Sequence, residues 1–196
     1  MVDLTIERVD ALKEVVNIGV LNSITALAQL LNKNLVTQPP DFINFSNGDL
    51  GLIIGQSEKI LVITCTIWGN MEGVLVLAFK LSDVGEMVDT VTDGQFQISR
   101  ADGELDEIDK STMQELASIV SGNLVSPIAD FLNLSISQSI PSVSNPVFST
   151  AIDFKENPEF TFSFRNLIYD QDKIFAAFLF VPNEKTLPVI FDAIGI

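Results

Sequence analysis

No histidine occurs in the chain, and with it go Ser-His and Cys-His nucleophile pairs, histidine-ligated zinc and histidine general bases. Cysteine is nearly absent too. Cys65 stands alone in an apolar, strand-like run, which excludes an internal disulfide and a thiolate metal site and makes a reducing cytoplasm the expected home. Basic residues are scarce: 11 lysines and arginines against 26 aspartates and glutamates leave a net charge of −15. That balance argues against nucleic acid and anionic membrane as partners, while permitting a partner with a basic rim. Apolar runs such as residues 60–68 fall far short of the ~20 residues a membrane span needs. The first eight residues lack the basic flank and apolar core of a signal peptide. Neither a Walker loop nor a dinucleotide-type glycine fingerprint is present. Any chemistry must use carboxylates, amides and hydroxyls, or borrow what a partner supplies.

What is present is ample apolar material. With 47% hydrophobic residues in 196, the chain can bury about 70% of its unfolded surface as one domain. Residues 4–31 contain no proline and a single glycine, Gly19, and their apolar spacing predicts a helix of about seven turns. Rotating ~100° per residue from Asp10 places Glu14 near 40° and Asn17 near 340°, in one narrow stripe. Val9, Leu12, Val16, Val20, Leu27 and Leu30 fall at about 200–280°, nearly opposite. Most polar helix faces are simply solvated. Asn17 is less easily dismissed, because asparagine is a mediocre helix former and this one has no cap to make.

The pattern also returns. Glu14 reappears as Glu115 (115 − 14 = 101). The same shift takes Asp10 to Ser111, Asn17 to Ser118, Asn22 to Asn123, Asn32 to Asn133, Pro40 to Pro141 and Phe79 to Phe180. A constant offset over that range marks an internal repeat. The expected organisation is one domain, 1–196, of two units at about 1–92 and 107–196, joined by an exposed acidic linker. The second helix, from about residue 107 to 132, shows Ser111, Glu115 and Ser118 on one face. Met113, Ala117, Leu124, Ile128 and Phe131 gather opposite. Pro127 should kink or interrupt it.

Between the helices, strands are expected at 42–46, 50–55, 59–68 and 71–79, then a short helix at 81–91. Residues 32–41 read as a polar connection. In the second unit, strands are expected at 134–139, 146–154, 159–169 and 173–181. A final short helix follows at 184–194, with Pro188 weakening it. Phe160, Phe162 and Phe164 alternate, so they should line a core face rather than a binding box. Each unit has a sheet with one face to cover. Pairing the units about a pseudo-twofold axis gives an α/β sandwich: two long surface helices on an antiparallel sheet, polar stripes outward.

Asp or Ser, three residues, Glu, two residues, Asn, then 22 residues and Pro resembles the signature of the CheC/CheX/FliY chemotaxis phosphatases. Asp10, Glu14, Asn17 and Pro40 fill it, and Ser111, Glu115 and Pro141 fill it again, with Ser118 standing where the family has Asn. The resemblance spans essentially the whole chain, and the two-copy length is most similar to CheC. FliY carries a further C-terminal flagellar-switch domain, which a chain ending at residue 196 is expected to lack.

The resemblance implies hydrolysis of the aspartyl phosphate on a CheY-type response regulator. Such chemistry needs a water held in line behind phosphorus. Asn17, with acceptor and donors on one amide, can orient it. Glu14 would pair with a lysine of the partner, Asp10 and Ser111 would flank the contact, and Glu115 would dock even where Ser118 holds water less well. No cofactor is expected on this chain, magnesium arriving with the response regulator. A monomer is expected. The alternatives are an adaptor for the receptor deamidase CheD, its phosphatase activity weak or lost, and a flagellar-switch-associated protein.

Overall fold

The structure is a computed structural model that describes residues 4–44, 59–95, 105–145, 147–148 and 162–196. Helix α1 runs Ile6–Leu31, opened by the Thr5 hydroxyl accepting from the Arg8 N–H and closed by Asn32 in the left-handed region (φ 49°). Strands β1 (Leu35–Thr37), β2 (Asp41–Asn44), β3 (Lys59–Gly69) and β4 (Gly73–Lys80) follow, then α2 (Leu81–Val91). Helix α3 spans Glu107–Leu132. Its capping box is built from Asp106 and Asp109, each carboxylate accepting the other's backbone N–H. Asn133 (φ 52°) ends it as Asn32 ends α1. Strands β5 (Ile136–Gln138), β6 (Ser142–Val143), β7 (Val147–Phe148), β8 (Phe162–Asp170) and β9 (Lys173–Pro182) lead through a short 3-10 turn to α4 (Leu187–Ile194).

Four sequence expectations need correction. Pro127 lies inside α3 without interrupting it. The carbonyl that loses its N–H partner belongs to Asn123, an exposed residue. Phe131, placed with the core by its periodicity, is 58% exposed; it sits in the last turn, and a rotational pattern takes no account of where the covering elements stop. The polar connection after α1 contains β1, three residues whose pairing with β8 (Leu35↔Asp170 to Thr37↔Ile168) is invisible locally. Pro188 does not weaken α4, because it falls in the first turn, where its missing N–H costs nothing. The expected strand at 50–55, all but residues 147–148 of that at 146–154, Phe160, and most of the acidic linker lie outside the described residues.

One antiparallel sheet runs β1-β8-β9-β4-β3-β5, with β2 also on β8 and β6 and β7 on β3. Its registers repeat at the 101-residue offset. Leu77 faces Phe178, its own equivalent, across the central β4·β9 pair. Leu35↔Asp170 matches Gly69↔Ile136, and Asp41↔Arg165 matches Thr64↔Ser142. The β1 and β2 arm therefore lies on the hairpin of the other half, and β5 and β6 return the exchange. The two long helices obey the same rule. Gly19 packs against Leu124, while the Ser23 hydroxyl donates to the Val120 carbonyl at 3.0 Å. Partner numbers fall as those in α1 rise, so the helices run antiparallel.

The helices cover one sheet face, where Leu12, Val16, Leu27, Val120, Leu124 and Ile128 meet Leu61, Ile63, Leu77, Phe79 and Phe178 in one core. Phe162 and Phe164 face the same side, with the Phe42 ring 5.2 and 5.7 Å from theirs. Each such side chain stabilises the fold by about 1.5–3 kcal/mol. A smaller cluster of Ile60, Val62, Val76, Ala78, Ala177 and Leu179 occupies the opposite face. Among the described residues α1 is one helix long and apolar enough to cross a membrane by length and composition, contrary to the reading of short apolar runs. Its apolar face is spent here on α3 and the sheet.

Candidate functional site

Asp10, Glu14 and Asn17 emerge where the periodicity of α1 puts them, on the side away from the sheet. Asp10 and Glu14 are exposed and Asn17 half-buried. Lys13 draws Asp10 into a loose ion pair at 3.7 Å. Among the described residues, neither Glu14 nor Asn17 has a side-chain hydrogen bond or ion pair. The other asparagines of α1 and α3 behave differently: Asn22 donates to the Ile18 carbonyl and Asn123 to the Ile119 carbonyl, each at 2.8 Å. The Asn17 amide is uncommitted beside an uncommitted carboxylate.

The second stripe has the same placement. Ser111 and Glu115 are exposed and Ser118 half-buried on α3. The Ser111 hydroxyl turns back to the Ile108 carbonyl at 3.0 Å. The structure thus brings Asp10, Glu14 and Asn17 together on one rod, and Ser111, Glu115 and Ser118 on the other. The two triplets do not form one site. From the helix crossing, the levels of Asn17 and Ser118 lie about 12 Å apart along the helix direction.

Pro40 and Pro141 are buried. Gln114, the neighbour of Glu115, donates to the Pro141 carbonyl at 2.6 Å, so the distant proline anchors the chain directly beside the helix that carries the stripe.

Sequence reasoning missed what holds α1 still. At its N-terminal end the Arg8 guanidinium sits 4.8 Å over the Phe191 ring of α4. Beyond its C-terminal end, Lys33 Nζ reaches Glu86 of α2 at 2.9 Å and Asp170 of β8 at 3.0 Å. The hydrogen bond to Glu86, then that to Asp170, raises the Lys33 pKa above the ordinary lysine value. No short-range pattern joins residues 33, 86 and 170. A helix pinned at both ends presents its stripe with little freedom.

A cavity of about 210 Å³ lies beside this clamp, lined by Lys33, Lys80, Lys173, Asp83, Glu86 and Asp170. Its three ammonium groups face three carboxylates, and two of those carboxylates are engaged by Lys33. Cys65 is buried and free, its thiol pKa raised by that burial, which marks an inert thiol. Among the described residues, no group of three His, Cys, Asp or Glu side chains is placed to hold a metal ion.

The profile of the CheC-like family matches residues 9–43, which take in α1 from Val9 onward with its stripe, Pro40 and most of β2. The chain is similar to the CheY-P phosphatase CheC of Bacillus subtilis, at 25% identity over 96% of this chain and 94% of that protein. Among solved structures it resembles FliY of Thermotoga maritima with a TM-score of 0.70 and 19% identity, covering 99% of this chain and 98% of the other. It also resembles a chain of the CheX-CheY-BeF3-Mg complex from Borrelia burgdorferi, with a TM-score of 0.59 and 14% identity over 85% of this chain and 96% of the other.

Proposed function

We propose that this chain, which is similar to the CheC-like family, is a phosphatase that hydrolyses the aspartyl phosphate of a CheY-type response regulator. The observation that carries this reading is the Asn17 amide, outward-facing and unpartnered beside Glu14 on a helix fixed at both ends.

An acyl phosphate is already reactive. Hydrolysis needs a water aligned behind phosphorus, and positioning supplies most of the acceleration. The Asn17 carbonyl oxygen accepts a hydrogen bond from that water, fixing the direction of its lone pair, while the amide N–H donates to phosphoryl oxygen or solvent. Glu14, one turn earlier, pairs with a lysine of the partner's phosphorylation pocket and sets the register of the helix. Magnesium, held by the response regulator's own residues and not by this chain, would supply positive charge to the phosphoryl oxygens.

The second stripe works unequally. Ser118 has a shorter side chain and a single donor, so it holds a water less firmly than an amide does. The α1 stripe therefore carries most of the activity, and Glu115 still docks. The test is the half-life of a phosphorylated CheY-type partner with wild-type protein, Asn17→Ala and Glu115→Ala. Loss of acceleration in Asn17→Ala with most of it kept in Glu115→Ala supports the assignment. Retention in the first and collapse in the second would reverse it.

A further inference from the structure

Resting on that reading, we infer that Leu21 is the apolar anchor by which the α1 stripe grips the response regulator, and that the second stripe lacks one. Carried four residues past Asn17, the same rotation puts Leu21 at about 20°, between Glu14 and Asn17. Its Cα lies about 6 Å along the axis from that of Asn17 and about 10 Å from that of Glu14, inside one protein footprint. Leu21 is 51% exposed on the polar side of α1.

Its polar neighbours have turned away. The Asn22 amide donates to the Ile18 carbonyl and the Thr25 hydroxyl to the Leu21 carbonyl, both at 2.8 Å. What faces a partner at this level is a branched aliphatic side chain, beyond an acidic end formed by Asp10 and Glu14. The occupant that fits is a surface with a basic group facing Glu14 and an apolar spot one to two turns away. The proposed response regulator already supplies the basic group. Desolvating such a contact within a polar rim is how a few residues come to dominate an interface.

On α3 the position 101 residues on is Gly122, which has nothing to insert. Space exists there, however: a Cβ at Gly122 would meet only the end of the Gln138 side-chain amide at 3.8 Å, an ordinary contact. The second stripe is therefore short of two features, the amide and the anchor.

Steady-state phosphatase kinetics decide this, with a CheY-type regulator phosphorylated by acetyl phosphate as substrate. Leu21→Ala should raise KM roughly tenfold and leave kcat within about twofold, the pattern for a contact made equally in ground and transition states. Leu21→Met should keep the wild-type KM, since it preserves volume and helix preference. In an Asn17→Ala background, Ser118→Asn alone should restore turnover only at high substrate, and adding Gly122→Leu should lower its KM. An unchanged KM in Leu21→Ala, or equal KM values with and without Gly122→Leu, overturns the assignment while leaving the phosphatase reading intact. A wild-type protein that fails to shorten the phosphoryl half-life overturns both.

Discussion

Asn17 is a poor residue for the helix that holds it. Alanine there has the higher helix propensity, by roughly 0.5 kcal/mol, and no hydrogen bond of the Asn17 side chain would be lost among the described residues. Asn17→Ala should therefore raise the unfolding free energy slightly while reducing phosphatase turnover at least 100-fold, the cost of a displaced nucleophile. Paired denaturation and kinetic measurements check both signs, and a variant that loses stability along with activity would mark the amide as structural instead. Glu14 and Asn17 were legible in the sequence because polar side chains one turn apart survive a helical projection. Leu21 was not, since a lone apolar residue on a polar face resembles the scatter normal on any surface. Lys33 gave no local sign either, its two acids being 53 and 137 residues away.

At the scale of elements, α1 and α3 approach one another closely at Gly19. A Cβ on Gly19 would lie 2.4 Å from the Leu124 carbonyl oxygen and 2.8 Å from the Ile128 side chain. Gly19→Ala should thus separate the helices, a strain of about 1–3 kcal/mol or more, against a gain in helix propensity of about 1 kcal/mol. A lowered urea midpoint at unchanged slope is the expected result. The clamp at the other end of α1 has a pH signature. Because the Lys33 pKa is raised in the folded state, its contribution is fully present below the ordinary lysine value and fades as pH climbs through the folded one. Lys33→Met should lower stability by about 1 kcal/mol at neutral pH, and the difference from wild type should shrink in base titrations above about pH 10. A pH-independent difference would show that packing, not charge, joins α1 to α2. The long elements were readable because 26 residues of periodicity outvote one proline in α3. Strand β1 was unreadable because three residues hold no periodicity, and its partner strand β8 begins 125 residues later.

Across the whole molecule, the exchange of arms settles what can fold alone. Strands β1 and β2 complete the sheet on β8, and β5 and β6 complete it on β3. A fragment such as 1–92 or 105–196 owns a hairpin without its edge and an edge without its hairpin. Each should fail to form a folded monomer, and an equimolar mixture should recover a 1:1 complex with the circular dichroism of the intact chain. Size-exclusion chromatography of one fragment eluting as a folded monomer would refute this. The overall architecture was foreseeable, since a constant offset in sequence leads to a paired arrangement of halves. The interlocking was not, because nothing in either half says whose hairpin its arm will join.

That interlock bears on heredity as much as on folding. An assembly of identical subunits must carry every mutation twice, so both rods stay alike whatever selection asks of them. Here one gene encodes the two rods at separate codons, so positions 17 and 118 can change independently of one another. The serine on one rod and the asparagine on the other are the kind of divergence only such a tethered pair can keep.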